Sequence, residues 1–304
     1  MCKRTIEKTV SCSGIGVHAG EEATVVIKPA PPDHGTVFVR TDLDPPLRIV
    51  ATYENIKSGI NATTIGEGGV SVSTIEHLMA ALSALMIDSV EIEVNGPELP
   101  IMDGSAAPFV SLIKSAGIRK LDCSRRYLVV EKPVQVNING SRASIRPSLV
   151  PSVNCSIAYD HPYLRYQQRA VRINPADFES EIAAARTYGF LEDVNRLRSM
   201  GLAKGGSLEN ALVLDSKGVV NEEGMRYQDE CVRHKILDVI GDMALTGMPV
   251  LGEVYCHKSG HRLSHKLITE LMKNPDSYRI VDESELDAPG PLEEKTLAQA
   301  SSWV

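Results

Sequence analysis

The sequence predicts an α+β protein of two similar domains, each a layer of helices packed on a mainly antiparallel or mixed sheet. Three observations lead there. Short β-branched runs gather ahead of the helical regions, at Thr24–Ile27 and Thr36–Val39 in the first half, and at Leu128–Val130, Val134–Ile138 and Val153–Tyr159 in the second. The order helix, strand, helix then occurs twice, at about 74–86, 90–94 and 107–116, and again at about 228–245, 250–255 and 261–273. Between the halves, the polar segment Arg119–Arg126 reads as a boundary, which gives domains of residues 1–122 and 127–304. The copies share no obvious sequence identity, so the repeat is one of pattern. Binding sites often form where such domains meet.

In chain order, Pro29 to Gly35 separates the first two strands as a loop. Ser73 or Thr74 opens the first helix, because Glu76 stands where a capping box places its acid. Ile75, Leu78, Met79, Leu82 and Leu85 follow helical spacing. Val90–Val94 alternates apolar and acidic residues, and Asn95-Gly96-Pro97 ends it. Ala107–Ala116 reads as a second helix with Gly117 as its C-cap. Past the boundary, helices are predicted over Pro175–Arg186, with proline in the first turn, and over Phe190–Met200, closed by Gly201. A strand at Ala211–Leu214 leads into the long helix Gln228–Leu245, then a strand at Val250–Tyr255. The last helix, His261–Lys273, stops at Asn274-Pro275.

A chain of 304 residues buries a sizeable core, so it needs neither disulfides nor a structural metal to stand. A bound metal would therefore serve chemistry. The net charge of −7, without a Lys/Arg run, argues against a nucleic-acid partner. One cation in a pocket still suffices for an anionic ligand. The six cysteines form no C-x-x-C pair and read as reduced thiols. The N-terminus lacks the apolar stretch of a signal peptide, and no run of about 18 apolar residues occurs. A cytoplasmic monomer is expected.

Chemistry concentrates on the long helix, in Arg233-His234-Lys235-Ile236-Leu237-Asp238-Val239-Ile240-Gly241-Asp242. His234 and Asp238 are four apart, so they project from one face, which Asp242 continues. Such a pair reads either as a surface ion pair or as two zinc ligands. Glu76 and His77 interrupt an otherwise apolar helix, where charge is costly unless paired, metal-bound or turned to solvent. Each group lies on the first helix of one proposed repeat. Pairing those helices brings His77 against His234 and Asp238, and two histidines with one carboxylate leave a fourth position open, as in catalytic zinc sites. Glu76 points about 100° away from His77 around the helix, which suits a base better than a further ligand. His261 is either a helix cap or a functional imidazole. Thr187 is either an N-cap or a catalytic hydroxyl.

Seven stretches in order along the chain resemble the UDP-3-O-acyl-N-acetylglucosamine deacetylase family, the zinc enzymes of lipid A biosynthesis in Gram-negative bacteria. They are Gly14–His18, Ser73–Leu82, Pro100–Ala106, Arg186–Phe190, Gly206–Ala211, Asn221–Met243 and Lys258–His261. The most specific is the run from His234 to Asp242. The resemblance implies a two-domain fold with the active site between the domains, and one zinc ion on His77, His234 and Asp238. It implies Glu76 as general base, His261 as the electrostatic or acid group, Thr187 as a stabiliser of the oxyanion, and Asp242 orienting His261. Lys235 would contact the substrate, an acylated UDP-N-acetylglucosamine, with Tyr159 near the nucleotide, Lys258 near the phosphates and Tyr188 beside the substrate. A 3-O-acyl chain needs an apolar passage, for which strands of the domain insertions, Val213 and Leu202 are candidates. The chain departs from the family pattern at Tyr188, where Phe is expected, at Arg262-Leu263-Ser264-His265, where Ala-Leu-Asn-Asn is usual, and in the loop around Asn61-Ala62-Thr63. These departures are expected to bear on acyl-chain preference rather than on the chemistry.

Two other readings keep part of this evidence. Another zinc amidohydrolase would keep the metal and base and change the pocket. A binding module with a structural zinc would need a fourth protein ligand.

Overall fold

The structure, a computed structural model, describes residues 2–286. Residues 287–304, which the sequence assigns to the second domain, lie outside the described residues. The first half is built on a five-stranded sheet of β1 (Val10–Ile15), β2 (Glu22–Pro29), β3 (Thr36–Arg40), β4 (Leu47–Val50) and β5 (Val90–Val94), in the spatial order β1-β2-β5-β3-β4. The second half carries β6 (Val134–Ile138), β7 (Ser141–Arg146), β8 (Ser152–Ile157), β9 (Gln167–Arg172) and β10 (Glu253–His257), in the order β6-β7-β10-β8-β9. The two orders are the same. In each sheet the late-arriving strand, β5 or β10, pairs antiparallel on one side and parallel on the other.

Alternation decides which face is buried. Ala23, Val25 and Ile27 of β2 face inward with Val90, Ile92 and Val94 of β5, and Val153, Cys155 and Ile157 do the same in β8. Helices cover those faces: α1 (Glu76–Ala84) and α2 (Ala107–Ala116) in the first half, α4 (Glu230–Met243) and α5 (His261–Met272) in the second. Between them, α3 (Leu191–Ser199) is a surface helix with no buried residue. Only Ser83 of α1 escapes burial, as expected of a helix that is apolar nearly all round. It packs against α4 so closely that a Cβ on Gly241 would stand 2.1 Å from the Glu76 carbonyl oxygen. That contact seats the two halves against each other.

Several elements differ from expectation. The capping box does not form: the N-cap is Ile75, with no side-chain cap bond, and Thr74 before it has φ of 58°. The Glu76 carboxylate is instead engaged by the backbone of Thr63. The polar segment after Gly117 is largely a strand, Ile118–Ser124, paired with Cys2–Ile6. Its residues are mostly exposed, so its charges face water and hide the strand signal. The expected helix at 175–186 shortens to Pro175–Asp177 followed by a wider π-type turn over Phe178–Ile182. Gly252 interrupts the strand predicted at Val250–Tyr255, where the chain passes close to Ile145 and Val130.

Candidate active site

Three helices deliver the site. α1 brings Glu76 and His77, α4 brings His234, Lys235, Asp238 and Asp242, and the first residue of α5 is His261. The His77 and His234 rings meet edge-on, with centroids 5.0 Å apart. One ligand atom from each of His77, His234 and Asp238 lies within 4.8 Å of the others, and among the described residues this is the one such group of three.

The local bonding fits a cation. His234 Nδ1–H donates to the Ala185 carbonyl at 3.0 Å, which leaves the Nε2 lone pair facing Asp238 Oδ1 at 3.3 Å. Asp238 Oδ2 accepts from Lys235 Nζ at 2.8 Å. Asp238 Oδ1 and His77 Nδ1 are buried with no hydrogen-bond partner among the described residues. An orphaned buried polar atom costs about 1–3 kcal/mol, and a metal ion would compensate the Asp238 oxygen. Burial pushes the His77 imidazole down to about 3 and also lowers that of His234, so both stay neutral at pH 7, as metal ligation requires. Burial alone would raise the Asp238 carboxyl, but His234 and Lys235 beside it hold it well below the usual carboxylate range. Two neutral imidazoles and one carboxylate are a donor set for zinc.

Beside this triad, Glu76 Oε1 stands 3.6 Å from His261 Nε2. Burial raises the Glu76 carboxyl to about 7, reinforced by Asp238 and Asp242 and opposed by His261. His261 moves the other way. Burial would lower it, but the carboxylates of Asp242, Glu76 and Asp238 outweigh burial and raise it to about 10. Its Nδ1–H donates to Asp242 Oδ2 at 3.0 Å. The site thus holds a carboxyl that changes protonation near neutrality beside an imidazolium that persists there.

Sequence reasoning missed three buried residues, two of them beside this pair. The Thr63 hydroxyl donates to Asp242 Oδ1 at 2.5 Å, and His265 Nε2 lies 3.0 Å from the same hydroxyl. His265 belongs to the segment expected to bear on acyl preference, yet it reaches inward to Thr63, Asp242 and His261. Glu98 accepts from the backbone N–H groups of His18 and Ala19 and from the Thr74 hydroxyl, tying the 14–19 loop to the start of α1. Only Thr63 and His265 lie in stretches that differ from the family pattern. Glu98 had no signal in local spacing.

The triad opens into a cavity of about 620 Å³. Its polar lining includes Glu76, His77, His234, Asp238 and His261, with Thr187 and Lys235 also on the wall. Thr187 is pinned on both sides, its N–H donating to Gly104 O and its carbonyl accepting from Leu212 N. Its apolar lining includes Phe190, Leu191, Val194, Leu197, Val213 and Val220. Its walls are therefore α3 as well as the strands Tyr188–Phe190 and Leu212–Asp215. Val213 lines the cavity and Leu202 does not. Tyr188 lines it too, under Lys235, with the ammonium 5.4 Å from the ring centroid. Tyr159 stands behind Tyr188, the two hydroxyls 2.8 Å apart, and is not on the cavity wall. Lys258 is likewise outside the lining, in the turn after β10.

The sequence profile of the family described as UDP-3-O-acyl N-acetylglycosamine deacetylase matches residues 3–273. A protein of Myxococcus xanthus named UDP-3-O-acyl-N-acetylglucosamine deacetylase is 48% identical over 279 residues, 92% of this chain and 89% of that protein. Proteins of the same name from Syntrophotalea carbinolica and Citrifermentans bemidjiense are 46% and 48% identical, covering 95% and 92% of this chain and 93% and 92% of their own lengths. With the match running from the first strand through α5, the chain belongs to the UDP-3-O-acyl-N-acetylglucosamine deacetylase family.

Proposed function

We propose that this protein is a zinc-dependent hydrolase that removes the N-acetyl group from UDP-3-O-(3-hydroxyacyl)-N-acetylglucosamine and releases acetate, a step of lipid A biosynthesis. The observation that carries the proposal is the convergence of His77, His234 and Asp238 beside Glu76 and His261 in a cavity that is also lined by apolar side chains. Those three residues would hold the zinc, which when bound supplies Lewis acidity to a carbonyl oxygen and to water.

The protein's own groups do the rest. Glu76, ionised above about pH 7, takes a proton from the attacking water. The negative charge that develops on the former carbonyl oxygen is met by the His261 imidazolium and the Thr187 hydroxyl, with Asp242 keeping His261 charged and oriented. The departing amine needs a proton, which the Glu76 carboxyl and the His261 imidazolium both carry at that stage. Lys235 and Tyr188 flank the substrate where the cavity leaves the metal triad, and the apolar wall receives the acyl chain. Tyr159 and Lys258 are not on the cavity wall, and their contact with the nucleotide stays a proposal from the family resemblance. Three protein ligands, with no fourth in the group, suit a catalytic ion rather than a structural one.

Buried free thiols at Cys155, Cys231 and Cys256 suit a reducing compartment, and we place the enzyme in the cytoplasm. The division at residues 122–127 is supported by a change of strand partners: Ile118–Ser124 pairs with the N-terminal strand, and Arg126–Val130 with Tyr278–Asp282. The test combines metal analysis with acetate release from acylated and unacylated UDP-N-acetylglucosamine. We expect release from the acylated substrate, lost on chelation and restored by zinc. A zinc-loaded protein that releases no acetate would end the proposal.

A further inference from the structure

Thr63 is completely buried, yet it is not on the cavity wall, so it touches no substrate. Its bonds nonetheless reach all three helices that build the site. Its backbone N–H donates to Glu76 Oε2 at 3.0 Å. Its hydroxyl has one proton and three neighbours: Asp242 Oδ1 at 2.5 Å, His265 Nε2 at 3.0 Å and His261 Nδ1 at 3.2 Å. Asp242 is the only pure acceptor among them, so the hydroxyl proton goes there. His261 Nδ1–H is committed to Asp242 Oδ2, and a proton on His265 Nε2 then points into the free lone pair of the Thr63 oxygen. The result is a chain of donors, His265 to Thr63 to Asp242, that meets His261 on the opposite carboxylate oxygen.

The loop carrying Thr63 is held to α5 by more than this hydroxyl. Gly59, four residues earlier, lies so close that a Cβ there would stand 2.7 Å from His265 Nδ1 and 2.9 Å from the His261 carbonyl carbon. The backbone at Thr63 is tied to the start of α1 as well, since Ile75 N–H donates to its carbonyl. One residue is thus locked simultaneously to the carboxylate that moves protons and to the pair that keeps an imidazole charged.

We propose that Thr63 is a positioning residue that sets the Glu76–His261 separation, with His265 holding its hydroxyl in the orientation that serves Asp242. The proposal rests on the hydrolytic reading of the site. It predicts a defect in turnover rather than in substrate binding, because Glu76 and His261 act on the reacting atoms, and misplacement by about 1 Å can cost on the order of 10²-fold. Thr63→Val keeps the shape and the backbone bond and removes the hydroxyl. Thr63→Ser keeps the hydroxyl.

The experiment measures kcat and KM for acetate release on zinc-loaded wild type, Thr63→Val and Thr63→Ser, with the folded fraction of each taken from its thermal melt. In parallel, the imidazole N–H proton resonance of His261, assigned by its loss in His261→Gln, is followed by NMR on metal-free protein. We expect kcat per folded molecule to fall about 10- to 100-fold in Thr63→Val with KM within about twofold, and to recover in Thr63→Ser. We expect the His261 resonance to shift and exchange faster with water in Thr63→Val alone. A Thr63→Val enzyme with wild-type kcat, or a Thr63→Ser enzyme as impaired as Thr63→Val, would overturn the proposal. The NMR arm separates the two readings: wild type without acetate release rejects the hydrolytic function, while an unchanged His261 resonance in Thr63→Val rejects the positioning role.

Discussion

Glu76 and His261 face one another as potential proton carriers of opposite charge, and their environments push their titrations apart. Glu76 must be ionised to act as base, so activity rises as pH increases through its pKa of about 7. His261 must be charged to meet a developing oxyanion, so activity falls as pH increases through about 10. A divalent cation nearby favours the deprotonated form of both groups, which moves each limb to the acid side of these values. A bell-shaped profile of kcat is the expected outcome. Replacing Asp242 by Asn removes the carboxylate that raises His261, and the alkaline limb should move to lower pH; a limb that stays in place would show that Asp242 does not tune His261. Glu76→Gln should lower kcat by about 10²- to 10⁴-fold with zinc content unchanged, as read by turnover and metal analysis. The convergence of His234 and Asp238 was legible because their relation shows as a spacing of four on one helix. Thr63 was not, because its hydroxyl bond spans 179 residues and leaves no local pattern.

At the level of elements, the packing of α1 on α4 is where the site gains its precision. Gly241 lets the two backbones approach, and an alanine there would place its Cβ inside the Glu76 carbonyl. In an exposed helix, Gly→Ala gains up to about 1 kcal/mol from propensity. Here overpacking, typically about 1–3 kcal/mol, should win. Gly241→Ala is expected to lower stability in chemical denaturation and to lower kcat by moving Glu76; a stabilised variant with full activity would show that the approach is looser than described. Helices α1, α2, α4 and α5 were readable from apolar spacing, and Gly117 and Asn274-Pro275 as stops from residue type, whereas the helix expected at 175–186 was not borne out beyond Asp177. The start of α1 was misread because Glu76 fits a capping pattern in sequence while its carboxylate is drawn off by Thr63 and His261. The strand at Ile118–Ser124 was hidden because its exposed residues carry charge where a buried strand would show alternation.

On the scale of the molecule, the group that could hold a metal is complete only when the two halves are docked, since His77 comes from one and His234 and Asp238 from the other. A metal that binds only the docked state stabilises it by mass action, by about 2.7 kcal/mol at a free concentration 100 times Kd. Chelation should therefore lower the melting temperature reversibly, and His77→Ala should abolish the difference between metal-loaded and metal-free protein. The apolar lining of the cavity makes a separate prediction. Leu197→Trp should obstruct it, and losing contact with about four methylenes forfeits roughly 3 kcal/mol, near 10²-fold in kcat/KM. That loss is expected for long acyl chains and not for short ones in the same acetate-release assay; equal losses for both would place the chain elsewhere.

The matching strand orders of the two sheets place corresponding leading helices, α1 and α4, side by side. Their contributions to the cleft are nonetheless unequal: one carries an imidazole with an acid next to it, the other an imidazole with an acid one turn further on. Likeness of backbone therefore does not dictate likeness of chemistry, and the cleft is asymmetric although the architecture around it repeats.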